Sequence, residues 1–553
     1  MSHRFTQIST MKRLLLLSTL AGLAISATSA AATMPAKPNI VVILVDDMGF
    51  SDLGCYGSEI PTPNLDALAA DGLKYTQFYN TARCCPTRAA LLTGLYSHEA
   101  GMGNMTHNEG TPGYLGHLND SCVTIAEALN PAGYFTAQVG KWHVGQTGGR
   151  GVTPWGRGFQ RSLNAPGGGF YFSDSTTKKT ELYLNGEKIA NNDPRLPAKW
   201  YTTDLWTIYA NKFIDEAIAE KKPFFLYLCE NAPHFPLQAP ADEIAKFRGK
   251  YKAGWDKLRE ARHAKQIQLG VVDSAWPVSP RADAVSAWDK LSPKQQDRFD
   301  HIMAVYAACV AHMDKAVGEM VSHLKEKGVF NNTVIMFMSD NGGNAESGPE
   351  GRSKGDPSIW NSNWFCGESW AFLQNTPLRR YKHYTMEGGI STPLIVHWPA
   401  GISAKGELRK QPSHVIDIMP TCVELAGATY PKEFKGKAIP PMEGRSLVGS
   451  FNNQPINREA IYWEHDGNGA IRVGDMKLVR IGREGQWELY DMAKDRTELH
   501  DLASAMPEEV KTLAAKWEEW ALRTHVKPYP KHGGKGKKGK KDTGGEEEVD
   551  DGG

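Results

Sequence analysis

The sequence predicts an α/β protein, a sheet with helices on both faces, followed by a smaller α+β unit. Three observations carry this. The runs Ile40–Val45 and Val334–Met338 are continuously apolar, the mark of strands buried on both faces. Between them, Met313, Val317, Met320 and Leu324 recur at helical spacing, with Gly328 as a stop signal. From about residue 446 the texture changes to short strands joined by glycine-containing turns, Arg458 to Met492, and then a helix from Pro507 to about Leu522. Strand–helix–strand alternation requires both sheet faces to be covered.

In chain order, the N-terminus comes first. From Met11, Lys12 and Arg13 precede a short apolar run that ends in small residues, with Ala30-Ala31-Ala32 as the expected cleavage site. This reads as a secretory signal peptide; the run is too short for a stable membrane anchor, and no other stretch is long and apolar enough to span a bilayer. Residues 1–10 read as an upstream start. Export to the periplasm or the medium is expected. The 553 residues suggest a large domain over 33–445, after the leader at 1–32, and a small α+β domain over 446–527. The end, 528–553, is a lysine block and then an acidic block rich in glycine, expected to be a disordered tail. A net charge of +1 gives no reason to expect a nucleic-acid partner. Eight cysteines, sparse and irregularly spaced, exclude a disulfide scaffold and a repeated zinc motif. They are expected to be buried small residues, with an occasional bridge.

Two strand ends are acidic: Asp46-Asp47 closes the first, Asp340-Asn341 the later one. Ligands collect at the carboxyl ends of strands in such sheets, so both point to one site. The stretch Asn80–Gly94 places Cys84 and Cys85 side by side, then Pro86 and Arg88, ahead of a helical run closing at Gly94. A disulfide, a metal site and a modified nucleophile all fit adjacent cysteines. A helix N-terminus favours an anion, and a reactive residue just before it would face that anion.

Cys84, Pro86 and Arg88, with the following Ala89–Gly94, resemble the sulfatase signature, in which the first cysteine is oxidised to formylglycine by a maturation enzyme. Cys85 fills a variable position. The resemblance runs from about Lys37 to Leu522 and is similar to the bacterial arylsulfatase group. It implies an alkaline-phosphatase-like mixed sheet flanked by helices, with a smaller C-terminal α+β domain. Asp46 and Asp47 match the family's acidic pair, Asp340 and Asn341 its Asp-Asn pair, Lys141 and His143 its Lys-x-His motif. His234 matches its histidine after an apolar strand, and Lys382 the lysine ahead of Glu387-Gly388-Gly389. Taken singly, each has a plainer use as a turn, cap or surface residue. Lys141 and His143 are expected to share one face of an extended segment.

The resemblance implies sulfate-ester hydrolysis, releasing an alcohol or phenol and inorganic sulfate. Asp46, Asp47, Asp340, Asn341 and the modified Cys84 would hold a cation. This oxygen-rich set suits Ca²⁺, with Mg²⁺ an alternative and Zn²⁺ less so. Arg88 would hold the modified residue, and Lys141 and Lys382 would clamp sulfate oxygens. The hydrated aldehyde carries two hydroxyls: one attacks sulfur with Asp340 as base, and the second, deprotonated by His143, expels sulfate. His234 would protonate the leaving group and contact substrate. The partners implied are a sulfated small molecule or glycan and the maturation enzyme. Two alternatives remain open: a phosphate or phosphonate ester hydrolase on the same fold, and a silent glycan-binding protein with unmodified Cys84. Asn164–Phe172 and Ser358–Trp370 are candidate substrate loops on composition alone.

Overall fold

A computed structural model describes residues 37–145, 153–176 and 180–530. The expected signal peptide and all but the first three residues of the expected tail lie outside them. Seven strands form the heart of the large sheet: β1 (Asn39–Val45), β2 (Leu73–Tyr79), β3 (Phe135–Lys141), β4 (Arg161–Ala165), β5 (Phe224–Cys229), β6 (Thr333–Ser339) and β7 (Ser391–His397). Their spatial order is β2-β7-β6-β1-β5-β3-β4, with short strands beyond each edge. β6, β1, β5, β3 and β4 run parallel, whereas β7 is antiparallel to both β6 and β2. The sheet is therefore mixed, with β1 central.

The pleat sorts β1 onto two cores. Val41, Ile43 and Val45 join one core with the long helix α3 (Pro293–Glu326) and with α2 (Thr202–Ala219). Ile40, Val42 and Leu44 join the other with α1 (Cys84–Thr93) and the C-terminal helix α4 (Pro507–Arg523). This is why β1 is apolar at every position. α3 starts at a capping box, in which the Ser292 hydroxyl accepts from the Gln295 amide at 3.3 Å and the Gln295 side chain accepts from the Ser292 amide at 3.0 Å. It ends at Glu326, and Gly328 takes the left-handed conformation with φ of 71°.

From residue 461 the meander expected from the glycine turns is a four-stranded antiparallel sheet: β8 (Ile461–His465), β9 (Asn468–Val473), β10 (Met476–Arg480) and β11 (Glu488–Asp491). One face carries Ile471, Leu478 and Leu489 against Leu513 and Trp517 of α4. The other carries Ile461, Trp463, Val479 and Tyr490 against Tyr79, Ala82, Met386 and Ile390. The small sheet thus braces the chain that leads into α1. A buried ion network joins them: Lys477 Nζ lies 2.9 Å from Glu387 and 2.8 Å from Glu498, and Arg496 Nε lies 2.9 Å from Glu387. All eight cysteines are buried free thiols, so the occasional bridge expected from the sequence is absent. Burial accounts for this, since the residue serves as a small apolar side chain. Among the described residues, no helix is long and apolar enough to cross a membrane.

Candidate active site

The site lies at the carboxyl ends of β1, β3, β5 and β6, as the two acidic strand ends foretold. Asp46 and Asp47 leave β1, and Asp47 is held at φ of 66°, a left-handed conformation that aspartate tolerates better than most residues. Its amide faces Asp340 Oδ1 at 3.4 Å across the β1–β6 junction. Ser339 steadies the turn by accepting from the Met48 amide and donating to the Asn341 carbonyl.

Cys84 is the first residue of α1 rather than the residue before it; Arg83 is the N-cap. The sequence expectation differs by one residue because Pro86 occupies the third helical position, where a missing N–H costs nothing. The Thr87 hydroxyl accepts from the Thr81 amide at 3.0 Å, fixing the approach to the helix, and Gly94 ends it with φ of 69°. Cys84 is 2% exposed. The Cys84 thiol is held well below its usual range, first by a hydrogen bond from Cys85, against burial, with Lys141 and His143 adding to it. Burial pushes Cys85 the other way.

Arg88, one turn into α1, reaches under the site. Its Nη2 and Nε lie 2.7 and 3.1 Å from Asp340 Oδ2, and Nη1 donates to the Lys141 carbonyl at 2.9 Å. Lys141 Nζ is 2.6 Å from Asp46 Oδ2. Lys382 Nζ is 2.7 Å from Asp47 Oδ1, and His234 Nε2 is 3.5 Å from Asp47 Oδ2. Burial alone would raise Asp46, but Lys141, then His234 and Arg88, hold it at about 2. Asp340 is pushed up by burial and by the charge of Asp46, against Arg88. Both lysines stay charged because the carboxylate each faces outweighs burial.

Lys141 and His143 do not simply alternate on one extended face. Gly140 has φ of 99° and His143 φ of 54°, so the chain bends on both sides of Lys141. A Cβ at position 140 would lie 1.9 Å from the Cys229 carbonyl oxygen, so glycine is required for β3 to leave the sheet there. The bend still delivers both: Lys141 reaches Asp46, and a His143 ring nitrogen lies within 4.8 Å of the Cys84 and Cys85 sulfurs. Of the basic run around Lys382, only Lys382 enters the acidic centre. Arg379 turns to Glu488 and Tyr490 of the small sheet.

Several contributors escaped the sequence reading. Asn344 donates to Asp47 Oδ2 at 2.6 Å and to Glu346 Oε2 at 2.7 Å. Glu346 also receives Arg83 at 2.8 Å and lies 3.7 Å from Lys382. Both follow Asp340-Asn341 on one loop, which was the available signal. His465, from β8, is buried, kept neutral by burial and then by His383 and Arg83, and feels the charge of Cys84. Nothing local in the sequence marked it. Of the candidate loops, Asn164–Phe172 touches the site: a Cβ on Gly168 would lie 3.3 Å from Lys141 Nζ, and the Tyr171 hydroxyl donates to the His234 carbonyl at 2.7 Å. Ser358–Trp370 only backs it, through Phe365 stacked on Phe235, itself stacked on His234.

The donor set fits a hard cation. Asp46 Oδ1 and Asn341 Oδ1 are buried with no hydrogen-bond partner, an arrangement that is costly unless something else meets them. Asp46, Asp47 and His234 bring ligand atoms within 4.8 Å of one another. Carboxylate and amide oxygens are the ligands that Ca²⁺ and Mg²⁺ prefer.

A sulfatase family model matches residues 38–428, and a model of the N-sulphoglucosamine sulphohydrolase C-terminal region matches residues 380–522. The chain is 35% identical to an uncharacterized sulfatase of Schizosaccharomyces pombe, over 89% of this chain and 95% of that protein. It is 36% identical to an arylsulfatase of Klebsiella aerogenes, over 76% and 94%. The crystal structure of Ps i-CgsB in complex with k-i-k-neocarrahexaose superposes with a TM-score of 0.66 at 26% identity, covering 88% of this chain and 94% of that one. A phosphonate monoester hydrolase of Agrobacterium radiobacter, at 20% identity and a TM-score of 0.55, shares the fold.

Proposed function

We propose, from the premise that this chain belongs to the sulfatase family and is a sulfuric ester hydrolase, that it cleaves sulfate monoesters of carbohydrates or phenols at Cys84. The observation that carries this is the convergence of two adjacent buried thiols, Cys84 and Cys85, three cations and an oxygen-rich acidic cluster at the N-terminus of α1. Conversion of Cys84 to formylglycine would supply a carbon bearing two hydroxyls, one to take up the sulfuryl group and one to release it. Asp46, Asp47, Asp340 and Asn341 would hold Ca²⁺ or Mg²⁺, which would polarise the sulfate oxygens.

The chain's own residues divide the remaining work. Arg88 fixes Asp340 and the floor of the site. Lys141 and Lys382, each tethered to one aspartate, are placed to hold sulfate oxygens as charge shifts during transfer. Asp340, beside the nucleophile, is assigned the proton of the attacking hydroxyl. His143, beside Cys84, is assigned the proton of the second hydroxyl. His234 is assigned proton delivery to the leaving oxygen, its ring fixed by its Nδ1 at the Phe235 carbonyl and by stacking on Phe235. Export from the cytosol follows from the N-terminal run and is part of this reading, as is a division into a catalytic domain to residue 445 and a small domain after it. That Ps i-CgsB was crystallised with a neocarrahexaose favours a carbohydrate sulfate over an aryl one.

The test joins two measurements on protein from a host that can mature it. Peptide mass spectrometry across Arg83–Arg88 should show Cys84 with an aldehyde in place of its thiol. Matched 4-nitrophenyl sulfate and phosphate should then show higher kcat/KM for the sulfate. A strong phosphate preference would overturn the assignment.

A further inference from the structure

We infer that a cavity next to this site is a subsite for an uncharged sugar, so that the preferred substrate is a sparsely sulfated neutral glycan rather than a polyanionic one. The inference rests on the sulfate-ester reading above and names its substrate class. The cavity, about 630 Å³, lies between residues 104–114 and the turn that joins β8 to β9, with Arg483 on its wall. That volume is within the range of pockets that take small organic ligands.

The cavity rim is joined to the active site through His383. Asp466, on its rim, lies 3.7 Å from His383 Nε2. His383 follows Lys382 in sequence, and its amide donates to the Ala82 carbonyl, two residues before Cys84. Glu464, also on the wall, flanks His465, whose ring meets that of His383 edge-on at 5.2 Å. His383, next to Lys382 in the chain, thus links the cavity rim at Asp466 to the acidic centre, and the sugar beyond the sulfate is placed on that side.

Its lining argues the chemistry. Asn104, Glu109, Asp466 and Arg483 offer hydrogen-bond acceptors and donors, and among the described lining residues Tyr114 and Pro530 are the main apolar contributors. That composition suits hydroxyls and does not suit an extended aryl or alkyl group. Charge narrows it further. Glu109, Glu464 and Asp466 face one guanidinium, Arg483, whose flat face is covered by the Tyr529 ring at 4.2 Å, and the His107 imidazole, 3.5 Å from Glu109. Glu464 is committed to the fold by the Gly467 amide at 2.7 Å and His98 at 2.8 Å. A uronate or a second sulfate placed here would meet like charge, and an uncharged hexose would not.

The test uses the mature, full-length protein with three probes: a hexose monosulfate, a neutral tetrasaccharide with one sulfate on its terminal hexose, and the same tetrasaccharide with a uronate beside the sulfated sugar. The expected result is a kcat/KM about tenfold higher for the neutral tetrasaccharide than for the hexose, with that gain lost in the uronate compound. Arg483→Ala and Asp466→Asn should each cut the tetrasaccharide-to-hexose ratio about tenfold. A ratio near one in the unaltered protein, or a preference for the uronate compound, overturns the subsite while leaving sulfate-ester hydrolysis standing. Failure to release sulfate from any probe, with Cys84 shown to be modified, overturns both.

Discussion

The charges at the site are held in pairs, and each pair makes a distinct demand. Lys141 is tied to Asp46 and Lys382 to Asp47, so each lysine lies beside the carboxylates assigned to the cation. Lys141→Met should therefore lower kcat/KM for 4-nitrophenyl sulfate by about 100-fold or more, the scale for losing a donor that acts on developing charge. Steady-state kinetics, with circular dichroism as the folding control, checks this. Asn344 differs, because it touches Asp47 and Glu346 rather than the expected position of the substrate. Asn344→Ala is expected to weaken cation affinity by about 10- to 100-fold, as loss of an outer contact does. Calcium titration of activity after chelation measures it; an unchanged midpoint would remove Asn344 from the cation site.

Among the elements, the small C-terminal sheet matters most for the site. It seals one side of the chain entering α1 and supplies His465 and the rim of the neighbouring cavity. Its anchor is the buried Glu387–Lys477–Glu498–Arg496 network. Lys477→Met leaves Glu387 with Arg496 but removes the cation paired with the buried Glu498, and should destabilise the fold by about 3–5 kcal/mol, read from a denaturant midpoint. The pH dependence follows in sign. Burial works to raise Glu387, yet Lys477, then Arg496 and Arg472, hold it at about 2, below its ordinary 4.5. Its pairing thus stabilises the fold above about pH 4.5 and is lost as the pH falls toward 2. Lys477→Met removes the largest opposing charge, so acid unfolding should move to higher pH. Glu498 is pushed upward by burial and by Glu387, leaving Glu387 as the firmly ionised member.

Over the whole molecule, residues from Asp46 to His465 meet around one point, so binding there is coupled to folding. Adding Ca²⁺ at about 100 times its dissociation constant should stabilise the protein by about 2.7 kcal/mol, seen as a Tm that rises with calcium and falls with a chelator. A Tm indifferent to both would contradict the cation assignment. The same convergence explains what the sequence disclosed. β1 and β6 are each buried on both faces, so their runs and their acidic ends were plain. Cys84, Pro86 and Arg88 sit on one helical turn, so their spacing was local and legible. His465 and the bend at Gly140 were not, because each is fixed by a distant partner: His383 for the one, the Cys229 carbonyl for the other. Lys382 stands out in the sequence by its place ahead of Glu387-Gly388-Gly389, and the structure adds that its neighbour Arg379 turns to Glu488 of the small sheet instead.

The burial of Cys84 sets a deadline. The thiol lies at the foot of α1 under strands that the chain supplies several hundred residues later, so no second protein can grip it once those strands have closed. On the proposed conversion of Cys84, a modifying enzyme would have to act on an extended segment, while the C-terminal sheet is still being made or is still unfolded. Molecules that miss that interval fold around a plain thiol and stay that way. The specific activity of a preparation would then count the fraction modified in time, and refolding a pure but unmodified sample would restore its shape without restoring its turnover.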